Sequence, residues 1–479
     1  MLNYSQYGAT GDGKTCDFDA IIATHAEANK LGLPVCANDN ATYYIGGGAK
    51  TAIIQTDTNW GTAKFIVDDT NVQDRTCPVF RVVSAHSPTE IDGVSSIKKG
   101  QAKLDIAMPQ DALLEATDDT KRQFIRYGLN PDNGVPQTDI FIARKNGELD
   151  PQTAPIWDFE NITSLVAYPM DDTTLTIQGG YFTTIANAEI AEYKYFARNI
   201  EITRSNVVAD GITHVITGEG ERGAPYHGFI TISTCANVTV QNCKLSGHKT
   251  YTTIGDAGAE VRMGSYDILV AKAANIVFKN CVQLNDIHDT TIWGIFGSNF
   301  TKNMVFDTVK LSRFDAHKGT TNTVIKDSEI GHMGVKLIGS GSCLIENTKV
   351  TGREFIDLRQ DYGCTWEGNI TIRNCQFVAP KGYTDSLIVL GARYTGLHDF
   401  GYQCYMPRKI VIDGMSVEDN DGQNGVSILP VLSENYLNEG VPYPCVLPEV
   451  VEVRGVETAS GKPWVLSDNM GLYKFLQIY

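Results

Sequence analysis

One phrase recurs through the second half of this chain: an Asn followed by alternating apolar residues. It stands at Asn199-Ile-Glu-Ile, Asn237-Val-Thr-Val, Asn275-Ile-Val-Phe, Asn303-Met-Val-Phe, Asn322-Thr-Val-Ile and Asn369-Ile-Thr-Ile, with Cys343 and Lys409 at the equivalent place in CLIE and KIVI. The interval drifts between roughly 19 and 40 residues, as coils of about 20 residues do when they carry loops of different length. Each run is short and apolar on one side, so it cannot bury itself and needs a like neighbour stacked on it. With period-2 alternation and no helical period between the runs, the chain is predicted to be all-β, a single solenoid of parallel coils, or β-helix. Asn suits the corners because it tolerates a left-handed backbone and its amide can bond to the next coil.

The stretch from Arg313 to Gly363 shows three runs per coil. Asn322-Thr-Val-Ile, Ser328-Glu-Ile and Val335-Lys-Leu-Ile are followed by Cys343-Leu-Ile-Glu, Lys349-Val and Phe355-Ile-Asp-Leu-Arg359. Three phrases close on Cys, at Cys243, Cys281 and Cys375, and Thr308, Ser328 and Thr348 are read as their equivalents. Small side chains at one coil position form an internal ladder, and buried thiols behave there as small hydrophobes. The eleven cysteines are therefore expected to be free and structural, which favours a reducing compartment.

The formal charge of −16 and pI near 5.0 oppose non-specific binding to nucleic acid and to anionic lipid. A polyanionic substrate would need a local cationic patch. No apolar run reaches the length of a membrane span, and the opening MLNYSQYGATGDGKT has neither a basic n-region nor an apolar h-region. The expected location is cytoplasmic, or outside the cell by export without a visible signal peptide or after loss of a leader.

In chain order, residues 1–60 read as an N-terminal cap and first coil. Gly8 to Thr15 fits the phosphate-loop spacing GxxxxGK[ST], but a phosphate loop needs a buried strand before it, and MLNYSQY is short and polar. The better reading is a Gly turn leading into a helix from about Asp17 to Leu31, with Phe18, Ile21, Ile22 and Ala26 on one face and Gly32 as its stop. A strand at Ala41-Thr-Tyr-Tyr-Ile follows. Residues 61–194 read as early coils interrupted by a β-rich insertion, with a separate small β domain as the alternative. A short helix is predicted within 108–126 and a turn at Asp132-Asn-Gly134. Residues 195–455 form the regular solenoid, and 456–479 close its far end.

The phrase YGATGDGKT, a helix, and then ATYYI resembles the opening of the pectate-lyase-like right-handed parallel β-helix superfamily. The corner-and-strand pattern of residues 195–455 extends that resemblance over most of the chain. Cys16 replaces the first of the two acids usual after the Gly turn, while Asp17 keeps the second. The resemblance implies a right-handed coil and a carbohydrate-active protein, most often a glycosidase or polysaccharide lyase working in a groove along the coils. The paired Asp repeats and the Gly-His-Gly and Arg-Ile-Lys phrases of polygalacturonases are absent, so that activity is not assigned.

Chemistry is expected at the corner after the second strand of each coil and on the third strand. The corner reads Gly247-His248-Lys249, then Asn285-Asp286-Ile-His288-Asp289, then Arg313 to Lys318, then His332, then Arg353-Glu354. The third strand adds Tyr266, Asp267, Trp293, Lys336, Asp357 and Arg359. Coils stack about 4.8 Å apart, and glycosidic cleavage uses two carboxyl groups about 5 to 9.5 Å apart. Asp289, Asp315, Glu354 and Asp357 are the candidate catalytic carboxylates. Arg313, His317, Lys318, Arg359, Asp267, His288, Trp293 and His332 are candidates to hold substrate, and Glu221, in a polar loop, is a reserve acid. Solvated corner residues tied to turns are the bland alternative for any one of them.

The reading is a glycoside hydrolase or transglycosylating relative acting on an oligo- or polysaccharide. A polysaccharide lyase acting by β-elimination on a uronic-acid-containing glycan, and a non-catalytic glycan-binding or phage-tail-like fibre, are its alternatives. No cofactor and no metal site are predicted; the partner is a carbohydrate, with neither nucleic acid nor membrane, and a homotrimer is compatible with the fold.

Overall fold

The computed structural model describes residues 1–74, 76–126, 131–187, 195–220, 226–255, 258–392, 399–419, 425–429, 443 and 445–479. Its main sheet has 29 strands, and their register sorts them into three parallel stacks, one for each side of a coil. The first face runs through Ala236–Gln241, the later parts of Tyr266–Lys279, Phe296–Asp307 and Lys310–Lys326, and then Gly339–Glu346, Trp366–Val378, Lys409–Glu418 and Val450–Thr458. The second begins near the N-terminus at Asp12–Cys16 and Thr42–Ile45 and continues through short strands such as Thr213–Thr217, Lys244–Leu245 and Lys349–Thr351. The third includes His227–Ser233, the start of Tyr266–Lys279, residues 313–318, Glu329–Leu337, Glu354–Leu358 and Leu387–Gly391. The expected parallel β-helix is what forms.

Two amide ladders frame the first face. At its start, Asn237 donates to Asn206, Asn275 to Asn237, Asn303 to Asn275 and Asn322 to Asn303, at 2.8 to 3.0 Å. All five have φ between 55° and 59°, the left-handed conformation that Asn tolerates better than other side chains. Asn199 and Asn369 carry the same phrase without the left-handed turn. The second ladder lies at the other end of the face, where Asn242 bonds to Asp210, Asn280 to Asn242 and Asn347 to Asp327. There Thr308 has φ 57°, so it aligns with Asn280 and not with Cys281. The inward small-residue position of that coil is Val309, which corrects the equivalence expected for Thr308.

Inside the rod, aliphatic and aromatic side chains stack coil on coil. Phe296 lies over Phe314 with ring centroids 5.4 Å apart, and Phe306 packs edge-on to both. The eleven cysteines are thiols, eight of them buried.

The helix Phe18–Leu31 caps the N-terminal end, and Gly32 ends it at φ 64°. Its buried stripe is Phe18, Ile21, Thr24, His25 and Ala28; Ala26, predicted on that face, is exposed. His25 shares a hydrogen bond of 2.9 Å with Tyr4, which also accepts from Trp60. Asp17 accepts from the backbone of Thr10 and Gly11, so the Gly turn is tied to a carboxylate of its own chain.

Between the coil strands Phe80–Val82 and Leu175–Ile185 the chain leaves the solenoid. Thr89–Glu90, Ala112–Gln123, Val135–Ala143 and Ser164–Pro169 form a four-stranded antiparallel sheet with its own core. The helix predicted within 108–126 is therefore a strand; its alternation of Ala112, Leu114 and Ala116 toward that core outweighs local helix preference. Lys302 of the rod reaches Asp139 of this sheet at 2.8 Å, both buried, and donates to the carbonyls of Thr153 and Ala154. A buried ion pair with its remaining donors satisfied fixes how the insertion seats.

Candidate functional site

On the third face the outward residues of successive coils fall in one column. Asp315 pairs with Lys336, Lys336 with Asp357, and Asp357 with Gly391. The Gly391 position leaves room for the neighbouring acid: a Cβ there would lie 2.4 Å from Glu354 Cγ. Alongside this column runs a groove of three adjoining hollows. The first, about 350 Å³, includes Tyr195, His227, Tyr266, His317 and Lys318. The second, about 570 Å³, shares Tyr195, Tyr266 and His317 and adds Trp293, Arg313 and Arg359. The third, about 530 Å³, shares Lys336, Arg353, Glu354 and Asp357 with the second and reaches Tyr383.

One wall is a small antiparallel sheet of His248–Ile254, Glu260–Gly264 and Ile292–Gly294. Trp293 lies across Gly264, where an added Cβ would fall 1.6 Å from the indole. Any larger residue at 264 would displace the ring.

The floor is a chain of alternating charge. Arg313 and Arg359 both bind Asp315, Arg359 also forms a two-point pair with Asp361, and Arg126, from the insertion, reaches Asp361 at 3.1 Å. Burial alone would raise the Asp315 carboxyl, but Arg313 and Arg359 outweigh it and hold it well below the usual carboxylate range. His317 sits between Asn299 and Tyr362. Burial and the Arg359 charge push its pKa down to about 3, so the imidazole is neutral at pH 7.

Above this floor stand Glu354 and Asp357. Both are half-exposed, while Phe355, Ile356 and Leu358 of the same strand are buried. Residues three apart in a regular strand point to opposite faces, but here the two residues between them, Phe355 and Ile356, are both buried, and Glu354 and Asp357 both line the second and third hollows. Lys336 Nζ holds Asp357 at 2.6 Å. Arg262 and Arg353 are exposed on the rim.

The groove thus brings together Asp315, Glu354, Asp357, Arg313, Arg359, His317, Trp293 and, at one end, Lys318. Of the other described candidates only His332 touches the groove, at the edge of its third hollow. Asp289 accepts from the backbone and hydroxyl of Thr291, which holds its carboxyl below the usual range; it closes a turn. His288 is exposed, 3.8 Å from Glu329, and His332 bonds the Ile287 carbonyl at the edge of the third hollow. Asp267 is wholly buried and binds His214 at 2.7 Å and the Ser246 backbone. Its neighbour His248 pairs with Glu219 at 3.1 Å. Burial opposes the His248 charge, yet Asp267 and Glu219 raise its pKa to about 9. Glu221 lies outside the described residues. Among the described residues no three His, Cys, Asp or Glu side chains gather to hold a metal ion.

Sequence reasoning did not single out Arg126, Arg262, Tyr195 or Asp361. Arg126 and Arg262 come from the insertion and the side sheet, where no coil repeat points to them. Asp361 had a local signal, its i+2 spacing from Arg359.

Neither a family model nor a curated protein matches the chain. Among solved structures it is similar to the tailspike protein gp49 of Pseudomonas phage LKA1, at 15% identity and TM-score 0.52, over 100% of this chain and 84% of that one. It also aligns with PfbA, a surface adhesin of Streptococcus pneumoniae, at 12% identity and TM-score 0.48, over 98% and 92%. The three parallel stacks, the capping helix and the tailspike likeness together make the fold a right-handed parallel β-helix.

Proposed function

We propose that the third face holds an oligo- or polysaccharide and that Glu354 and Asp357 cleave or transfer one of its glycosidic bonds. The observation that carries this reading is the placement of two half-exposed carboxylates from one strand where two hollows of a continuous groove meet. Both residues line the same two hollows, so their carboxyl groups can flank one bond of a glycan held there. Glu354 protonates the leaving oxygen. Asp357, oriented by Lys336, receives the proton of the attacking water or sugar hydroxyl. Tyr266 and Trp293 offer apolar ring faces to the sugar, and the Arg313–Asp315–Arg359 floor keeps the strands that carry them in register.

Incubation with a panel of polysaccharides, followed by new reducing ends, tests this. Activity that Glu354→Gln or Asp357→Asn lowers at least 100-fold, with binding retained, supports it. An unsaturated product absorbing in the ultraviolet would assign elimination instead. The tailspike likeness favours a second reading, a trimeric fibre that holds a glycan without turnover; binding with no product from any glycan, together with a trimeric mass in solution, would select it.

A further inference from the structure

Several buried polar groups without partners among the described residues gather at one place beneath the strand Ile292–Gly294. They are Nε and Nη1 of Arg313, Nε2 of Gln283, Oγ of Ser312 and Nε1 of Trp293. Arg313 is 2% exposed, Ser312 0% and Gln283 6%. Their proximity follows from Gly294, where a Cβ would lie 3.0 Å from Arg313 Cδ and 3.6 Å from Ser312 Oγ. Gln283 is tied to Ser312 by a 2.9 Å bond from the Ser312 backbone to its Oε1. That bond fixes the amide, leaving Nε2 as the unpartnered end. The Trp293 ring lies 5.1 Å from the Arg313 guanidinium, and Tyr266 lies 5.8 Å from it.

The character of the set is uniform. Guanidinium, indole and amide N–H groups can only donate, and Ser312 can donate as well. Buried donors left unpaired are costly, and a native structure keeps them where something else completes them. A water molecule accepts about two hydrogen bonds, fewer than this set supplies, and it does not answer a fixed positive charge. Among the described residues the carboxylate that binds Arg313 is Asp315, and it is shared with Arg359. Arg313 and Trp293 also line the central hollow, so the set meets the groove through these two, with Gln283 and Ser312 behind them.

We infer that Arg313, Gln283, Ser312 and Trp293 form an anion subsite that receives the acid group of an acidic sugar, a carboxylate or a sulfate ester, and that the glycan of this groove is therefore anionic. The inference rests on the glycan reading above and narrows it. On a chain of net charge −16, selection for an anion needs such a local set of donors, because the overall field repels one.

The test pairs acidic polymers with neutralised forms of themselves: hyaluronan and alginate before and after carboxyl reduction, and chondroitin sulfate before and after desulfation. The expected result is binding to at least one acidic polymer that falls tenfold or more when its acid group is removed. Whether carboxyl reduction or desulfation causes the loss identifies the acid. Trp293→Phe, which keeps the ring and removes one donor, combined with Ser312→Ala, is expected to weaken acidic-polymer binding several-fold while the thermal midpoint stays put. Arg313→Gln is expected to abolish the preference for acid. Equal binding of acidic and neutral forms, or full acid preference in both variants, would overturn the subsite.

Sodium glucuronate and sodium sulfate separate the two levels of the reading. Stabilisation of the wild-type chain by either salt, beyond that of sodium chloride at equal ionic strength and absent in Arg313→Gln, supports the subsite even if no polymer is bound or cleaved. Polymer cleavage indifferent to charge and to Arg313 leaves the groove assignment standing and removes the subsite.

Discussion

Two surfaces of the same rod carry hollows of similar size and opposite character. Where the first face meets the second, an open depression of about 710 Å³ is lined by Thr308, Asp327, Asn347, Asn374 and their neighbours. These residues repeat from coil to coil, and several bond to the equivalent residue above or below. On the third face the lining is mixed: aromatic Tyr266 and Trp293, cationic Arg313 and Lys336, and the carboxylates Glu354 and Asp357. A repeated position stabilises the stack and offers a ligand nothing distinctive. A position that departs from the repeat forgoes the ladder, so the departures mark where another interaction has been favoured.

Substitutions should separate the two surfaces. The largest expected loss of stability is at the groove floor. Asp315→Ala leaves Arg313 and Arg359 buried without their shared carboxylate and should cost about 3–5 kcal/mol, read from denaturant unfolding. Glu354→Gln, on the same face but half-exposed, should lower turnover at least 100-fold, the equivalent of about 2.7 kcal/mol of transition-state energy, and leave unfolding nearly unchanged. On the ladder, Asn275→Ala removes amide bonds to two coils and places Ala at φ 58°. It should cost about 1–2 kcal/mol with no effect on turnover, and Asn275→Gly should recover the backbone part.

A smaller effect concerns the buried pair behind the groove wall. The His248 pKa is raised from 6.5 to about 9 in the folded chain. Its stabilising contribution is therefore complete below about pH 6.5 and is lost as pH rises through about 9, on the order of 1 kcal/mol after desolvation. Thermal midpoints of wild type and His248→Gln should converge over that window as pH rises. Parallel curves would remove His248 from the account.

The difference between the two surfaces also explains what was legible in the sequence. The ladders could be read because Asn237, Asn275, Asn303 and Asn322 stand at one place in a repeated phrase, and the register follows from the repeat. On the third face Asp315, Glu354 and Asp357 could be placed for the same reason, through the apolar residues beside them. What could not be read came from segments outside the repeat. Arg126 reaches Asp361 from the antiparallel insertion, and Trp293 meets Arg313 through a side sheet whose last strand begins 28 residues after Gly264. Asp289 and Asp267 looked equivalent to the groove acids in a column drawn from sequence. Local bonds decide otherwise, since the carboxyl of Asp289 binds Thr291 two residues on and that of Asp267 turns inward to His214.

The most direct measurement is a crystal structure of Glu354→Gln with an oligosaccharide cut from whichever polymer the chain binds. The expected result is sugar density along the third face, from Tyr266 and Trp293 toward Tyr383, with one glycosidic oxygen between residue 354 and Asp357. Sugar seated in the depression lined by Asn347 and Asn374, or along the groove with every glycosidic oxygen beyond reach of both carboxyl positions, would contradict it.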